Sequence, residues 1–158
     1  MKLVKAIAQG IMQMDNTSIP VYKLEDGTLA AGQAVVIKYL TDGATTASRH
    51  QLNVSNLGKY LPKKMLIQPE FAVEEGVKSI RLLTAQEWLS LCAGILQAEQ
   101  NGKLGKKWST APKRVQSLLL LFAKTGISKT IEQALNVNPV TMDSSFEQYL
   151  IRLLNYKC

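Results

Sequence analysis

Apolar and polar residues change their spacing partway along this 158-residue chain. Up to Leu83, short apolar runs alternate with turn signals: Asp15-Asn16-Thr17-Ser18, Glu25-Asp26-Gly27, Asp42-Gly43, Asn56-Leu57-Gly58 and Glu74-Glu75-Gly76. Asp-Gly between apolar runs is a strong hairpin signal, because glycine accepts the positive φ that tight turns demand. Val21-Tyr22-Lys23-Leu24 precedes one such pair and Thr28-Leu29 follows it. Ala34 to Leu40 sets Val35, Ile37 and Tyr39 on one face at strand spacing and stops at the next Asp-Gly. Further strands are predicted at Leu3 to Met14, Gln51 to Val54, Met65 to Gln68 and Val77 to Leu83. Short strands punctuated this way point to a meander or a small barrel.

Beyond Thr84 the spacing becomes helical. Thr84-Ala85-Gln86-Glu87 has the form of a capping box, in which Thr and Glu satisfy free amides at a helix start. Trp88, Leu91, Cys92, Ile95 and Leu96 then form one stripe that ends near Asn101-Gly102. After the loop Gly102 to Ser109, Thr110 or Ala111 with Pro112 starts a second helix through Val115, Leu118, Leu119 and Phe122 to Gly126. Ser128 caps a short third helix to about Leu135. Ser144-Ser145-Phe146-Glu147 is another capping box, leading into Phe146, Tyr149, Leu150, Leu153 and Leu154. The expected fold is α+β. An N-terminal antiparallel sheet or small barrel packs against a C-terminal bundle of three to four helices. Residues 1–158 form a single compact domain, with a β-rich subdomain 1–83 and a helical subdomain 84–158.

Composition agrees with a packed domain: 46% hydrophobic and 20% charged residues are values at which a core can form, not those of a disordered chain. No apolar run approaches the ~20 residues of a bilayer span. The first fourteen residues, interrupted by Lys5, Gln9, Gly10 and Gln13, lack the form of a signal peptide. The expectation is a cytoplasmic protein with no membrane association. Cys92 falls in an apolar stripe and Cys158 is the last residue; the pair suggests neither a disulfide framework nor a zinc site.

The charge changes the picture more. The net charge is +7, and the window Asn101–Ile131 holds seven basic residues (Lys103, Lys106, Lys107, Lys113, Arg114, Lys124, Lys129) and no acidic one. A second acid-free stretch, Gly43 to Pro69, holds Arg49, His50, Lys59, Lys63 and Lys64. Positive potential concentrated in this way attracts polyanions, and each phosphate contact gains from counterion release. Gly102-Lys103-Leu104-Gly105-Lys106-Lys107-Trp108 combines two glycines, three lysines and an indole, the parts needed to follow a phosphate backbone and stack on a base. It is no Walker A loop, since the Gly-Lys-Ser/Thr ending is absent and a helix precedes it.

Catalytic signals are weak by comparison. The single histidine, His50, excludes mechanisms that need two. Glu70, Glu74 and Glu75 near Lys78 offer carboxylates for a divalent cation, yet the group reads more simply as a charged turn. No metal and no cofactor is expected. Ile131, Leu135, Asn136, Val137, Met142 and Phe146 follow a helix-turn-helix spacing loosely, with Glu132 where a small residue is needed. Of Tyr22, Tyr39, Tyr60 and Phe71, only Tyr60 lies beside basic residues; the others read as core. The expected function is a non-catalytic nucleic-acid (polyanion) binding protein, for DNA or RNA. Its contacts would be Lys103, Lys106, Lys107, Trp108, Lys113 and Arg114, with Lys59, Lys63 and Lys64 as a second group. Lysine outnumbers arginine there, which favours contacts to phosphate charge over bidentate base recognition. The alternatives are a protein–protein assembly module or homo-oligomer with incidental charge, and a phosphate-handling enzyme using His50 and the Glu70–Glu75 group.

Overall fold

The computed structural model describes residues 2–67, 71–75 and 78–135, and these form a mixed α+β domain. Strands β1 (Lys2–Leu3), β2 (Ala6–Met14), β3 (Thr17–Leu24), β4 (Leu29–Gly32), β5 (Phe71–Glu75) and β6 (Lys78–Thr84) make one sheet in the order β1-β5-β6-β4-β3-β2. All neighbouring pairs are antiparallel except β1–β5, which is parallel. The two edge strands, β1 and β2, are joined through Val4 and Lys5 alone. The Val4 amide donates to the Ala72 carbonyl, and the Lys5 carbonyl accepts from Glu25. A small apolar cluster of Tyr22, Leu24, Ala30, Val73 and Leu82 is drawn from β3, β4, β5 and β6 of this sheet.

The first two turns form where the residues predict them. Met14 pairs with Thr17 around Asp15, which takes a φ of 52° that the short polar side chain tolerates. At Asp26-Gly27 the Thr28 amide donates to Asp26 Oδ1 at 2.9 Å and Gly27 adopts a φ of 87°.

The third Asp-Gly does different work. Ala34 to Leu40 is not a strand but part of helix α1 (Gln33–Leu40), and Asp42-Gly43 closes it: the Gly43 amide, at a φ of 81°, donates to the Lys38 carbonyl at 2.8 Å. A left-handed glycine ends a helix as readily as it turns a hairpin. Alternation at Val35, Ile37 and Tyr39 misled, because the buried set is Gln33, Val36, Ile37, Tyr39 and Leu40, which follows helical spacing. Gln51 to Val54 is likewise helix α2 (Arg49–Val54), begun by a Ser48–Gln51 capping box. Lys63–Ile67 is helix α3, where a strand is predicted from Met65. These three helices lie within the stretch predicted to be β-rich, and the strand at Phe71–Glu75, which no signal predicts, pairs antiparallel with β6 through Glu75 and Lys78, at the predicted Glu74-Glu75-Gly76 hairpin.

The later helices follow their signals. In α4 (Ala85–Gln100) the Thr84 hydroxyl accepts from the Glu87 amide at 3.2 Å and Glu87 Oε1 accepts from the Thr84 amide at 2.9 Å. Helix α5 (Ala111–Thr125) has Pro112 in its first turn, and α6 (Ile127–Leu135) follows directly, opened by the Thr130 amide donating to the Gly126 carbonyl, so Ser128 lies inside its first turn and is not the predicted cap. The predicted helix from Ser144 and the helix-turn-helix pairing across Asn136 lie outside the described residues. The main core runs from Met12 to Leu135 through both halves. At its centre the fully buried Trp88 meets Phe122 edge to face, ring centroids 5.3 Å apart. No described helix is long and apolar enough to cross a membrane.

Candidate functional site

The basic loop grows out of the C-terminus of α4. Gly102, at a φ of 65°, donates to the Glu99 carbonyl, and the Lys103 amide donates to Ala98, so the helix is closed and Lys103 is turned outward. Leu104 packs on the core. From Gly105 the chain makes a 3₁₀ turn over Lys106–Trp108, with the Trp108 amide donating to the Gly105 carbonyl at 3.0 Å. That turn sends Lys106 and Lys107 into solvent and Trp108 inward. The indole is only 7% exposed and belongs to the main core. The expectation that Trp108 offers a stacking face is therefore corrected: burying so large a ring outweighs any advantage of leaving it in water.

Arg114 is also committed inward. Its guanidinium lies 4.8 Å from the Tyr39 ring centroid, donates to the Tyr39 carbonyl at 3.1 Å, and pairs with Asp42 at 3.0 Å. Together with Thr110, whose hydroxyl donates to the Leu40 carbonyl at 3.1 Å, it fastens the start of α5 to the end of α1. As a contact for a polyanion, Arg114 is replaced by its role as a tie. Lys113, Lys124 and Lys129 remain exposed on α5 and α6, as do Lys59, Lys63 and Lys64 on the 3₁₀ turn Asn56–Tyr60 and α3. Both acid-free stretches border α4. The Tyr60 carbonyl would stand 2.8 Å from a Cβ placed on Gly94 in the middle of that helix, and the Gly102–Trp108 loop continues from its end. Neither described ion pair, Arg49–Glu87 or Arg114–Asp42, involves any of these lysines.

Arg49, one of the basic residues of the second acid-free stretch, is buried at 4% exposure and used completely. Its Nε donates to Gln33 Oε1 at 3.0 Å, one terminal nitrogen to the Met65 carbonyl at 2.8 Å and to Glu87 Oε2, and the other to the Leu82 carbonyl and Glu87 Oε1, both at 2.9 Å. All five N–H groups have acceptors. The partners come from α1, α3, β6 and α4, so no local pattern in the sequence marks them.

His50 is exposed beside Arg49, Glu74 is exposed, and Glu70 lies outside the described residues. Among the described residues no three of His, Cys, Asp and Glu gather as a metal site. A cleft of about 520 Å³, lined by Thr28, Leu29, Phe71, Thr84, Ser128 and Glu132 among others, opens near the start of α4. Its lining includes the hydroxyls of Thr28, Thr84 and Ser128 and the Glu132 carboxylate, and among the described residues no imidazole, thiol or amine lines it. Tyr22 and Tyr39 are buried, while Tyr60 and Phe71 are half-buried, with Lys2 Nζ 5.9 Å from the Phe71 ring centroid.

Two buried groups set a pH limit. Burial pushes the Cys92 thiol up to about 12 from 9.0, and burial together with the hydrogen bond to Asp15 pushes the Tyr39 hydroxyl up to about 12 from 10.0. Both folded values lie above the unfolded ones, so their contribution to stability is fully present below pH 9 and is lost as pH rises toward 12. Denaturant midpoints measured from pH 8 to 11 should fall, and Cys92→Ala should remove the earlier part of that fall. A flat profile would mean that neither group is protected. The chain matches no family model, no curated protein and no solved structure, so its own residues and geometry carry the functional argument.

Proposed function

We propose that this chain is a non-catalytic polyanion-binding protein whose natural ligand is a nucleic acid held through its phosphate backbone. The observation that carries this reading is the acid-free window Asn101–Ile131, in which Lys103, Lys106, Lys107, Lys113, Lys124 and Lys129 are all exposed. Lys59, Lys63 and Lys64 extend the same potential. The buried state of Trp108, Tyr22 and Tyr39 argues against stacking on bases, so duplexes and single strands should be bound through charge, with little sequence preference. In this reading the six-stranded sheet closes as a small barrel that serves as the rigid support.

The test is a titration of labelled duplex and single-stranded DNA and RNA at two salt concentrations. Affinity should fall steeply with salt. Lys106→Glu with Lys107→Glu should weaken binding to all sequences and lower the slope of log K against log salt by about 2. Absent binding at low salt, or binding indifferent to salt, would refute the proposal.

A further inference from the structure

Strand β2 presents an unprotected edge. It runs for nine residues, Ala6–Met14, without a charged side chain or a proline, although natural edge strands are usually blunted by one or the other. Only β1, at Lys2 and Leu3, reaches across to β5. From Gln9 to Gln13, β2 has β3 on one side and no strand on the other among the described residues. Ile7, Gln9, Ile11 and Gln13 are exposed, the two isoleucines at 61% and 60%.

Strand β3 fixes which backbone groups face the open side. Ile11 lies opposite Pro20, which has no N–H, so the two cannot exchange a pair of hydrogen bonds. Theirs is a non-hydrogen-bonded pair, and the N–H and C=O of Ile11 point away from β3. The register is unbroken from Ala8 to Met14, so alternation gives Gln9 and Gln13 the same direction.

A second copy of the chain supplies the matching strand. Antiparallel pairing about a two-fold axis at Gly10 sets Gln9 of each copy against Ile11 of the other, and both residues offer outward N–H and C=O groups. Ile11 then lies diagonal to Ile7 and Ile11 of the second copy, at roughly 7–8 Å, so four isoleucines gather across the axis. The same register brings the exposed Lys5 of each copy beside the exposed Asp15 of the other. Asp15 accepts from the Tyr39 hydroxyl through Oδ2, which leaves Oδ1 for the lysine. Each chain carries a net charge of +7, so two copies repel across most of their surface. An uncharged strand with opposite charges at its two ends is where that repulsion is least.

We infer that two copies of this chain associate through β2, antiparallel about Gly10, and join their sheets edge to edge. This does not depend on polyanion binding. One strand pair buries less than the ~1,200 Å² of a stable interface, so the dimer is weak and concentration-dependent. The test is sedimentation of the full chain carrying Cys158→Ser, from about 5 to 500 µM, a range that brackets weak association. The mass should double toward the upper end. Ile11→Lys adds a charge at an exposed position beside the axis, and should keep the protein monomeric throughout with an unchanged urea midpoint. If that midpoint falls, Gln9→Lys takes its place. Lys5→Glu should weaken the dimer by about ten-fold or more. A mixture of Gln9→Cys and Ile11→Cys chains should form a disulfide-linked dimer faster than either alone, since only the mixed pair lies about 5.5 Å apart at Cα. A monomer at every concentration overturns the inference. So does a dimer that survives the lysine substitution. Faster cross-linking of the Gln9→Cys chain by itself places the axis elsewhere and overturns it equally.

Discussion

Arg49→Met should lower folding stability by about 3–5 kcal/mol, the usual cost of removing one partner of a buried ion pair. Arg49 and Glu87 side chains are 5% and 21% exposed, so water can do little to replace what is lost. The variant leaves the Glu87 carboxylate half-buried without its cation and takes a donor from the Met65 and Leu82 carbonyls. Arg49→Lys keeps the charge but not the planar fork that reaches four elements at once, so it too should lose about 2 kcal/mol or more. Because Glu87 also caps α4 through the Thr84 amide, the damage should extend to the first turn of that helix. Arg49→Met combined with Glu87→Met should cost clearly less than the sum of the single changes, since no charge then remains buried alone. Urea midpoints of the four proteins measure this cycle. An Arg49→Met loss below about 1 kcal/mol would show that the network is incidental to stability.

The second large effect is expected at Gly10. A Cβ there would overlap the Ala134 carbonyl oxygen and stand 2.6 Å from the Leu135 Cα, both backbone atoms of α6. No rotamer change relieves such a clash, so α6 must lift from β2 or β2 must bend away. Gly10→Ala should therefore cost about 3 kcal/mol or more, at or beyond the upper end for overpacking. Amides of α6 should exchange faster while those of α4 keep their protection. Gly43→Ala is the comparison, since its Cβ would meet nothing within 4 Å and only the φ of 81° opposes it. That change should cost about 1–2 kcal/mol. Equal losses at the two positions would mean that the α6–β2 approach is looser than described.

Particular elements show how far the residues alone could be read. The Thr84 capping box, the Pro112 start and the Asp26-Gly27 hairpin are local chemistry, satisfied within a few residues, and each forms where its signal stands. Ala34–Leu40 failed because seven residues fit both a period of two and a helical period, and Asp-Gly closes either element. The Ser48–Gln51 capping box is a local signal for α2 that stands in the sequence itself. In the basic loop, the exposure of Lys103, Lys106 and Lys107 agrees with their charge. Trp108 and Arg114 sit beside them in sequence yet belong to the core and to the α1–α5 junction.

The concentration of positive charge between Asn101 and Ile131 follows from residue order alone, because charge is counted residue by residue and no folding can move it along the chain. Which of those cations are available is set by the folded arrangement. Whether a side chain faces water or the core depends on partners such as Tyr39, Asp42 and Leu40, some 70 residues away. The same holds for Arg49, whose buried network is assembled from residues 16 to 38 positions distant. Packing and hydrogen bonding act through space, and only the folded chain brings those positions within reach of one another.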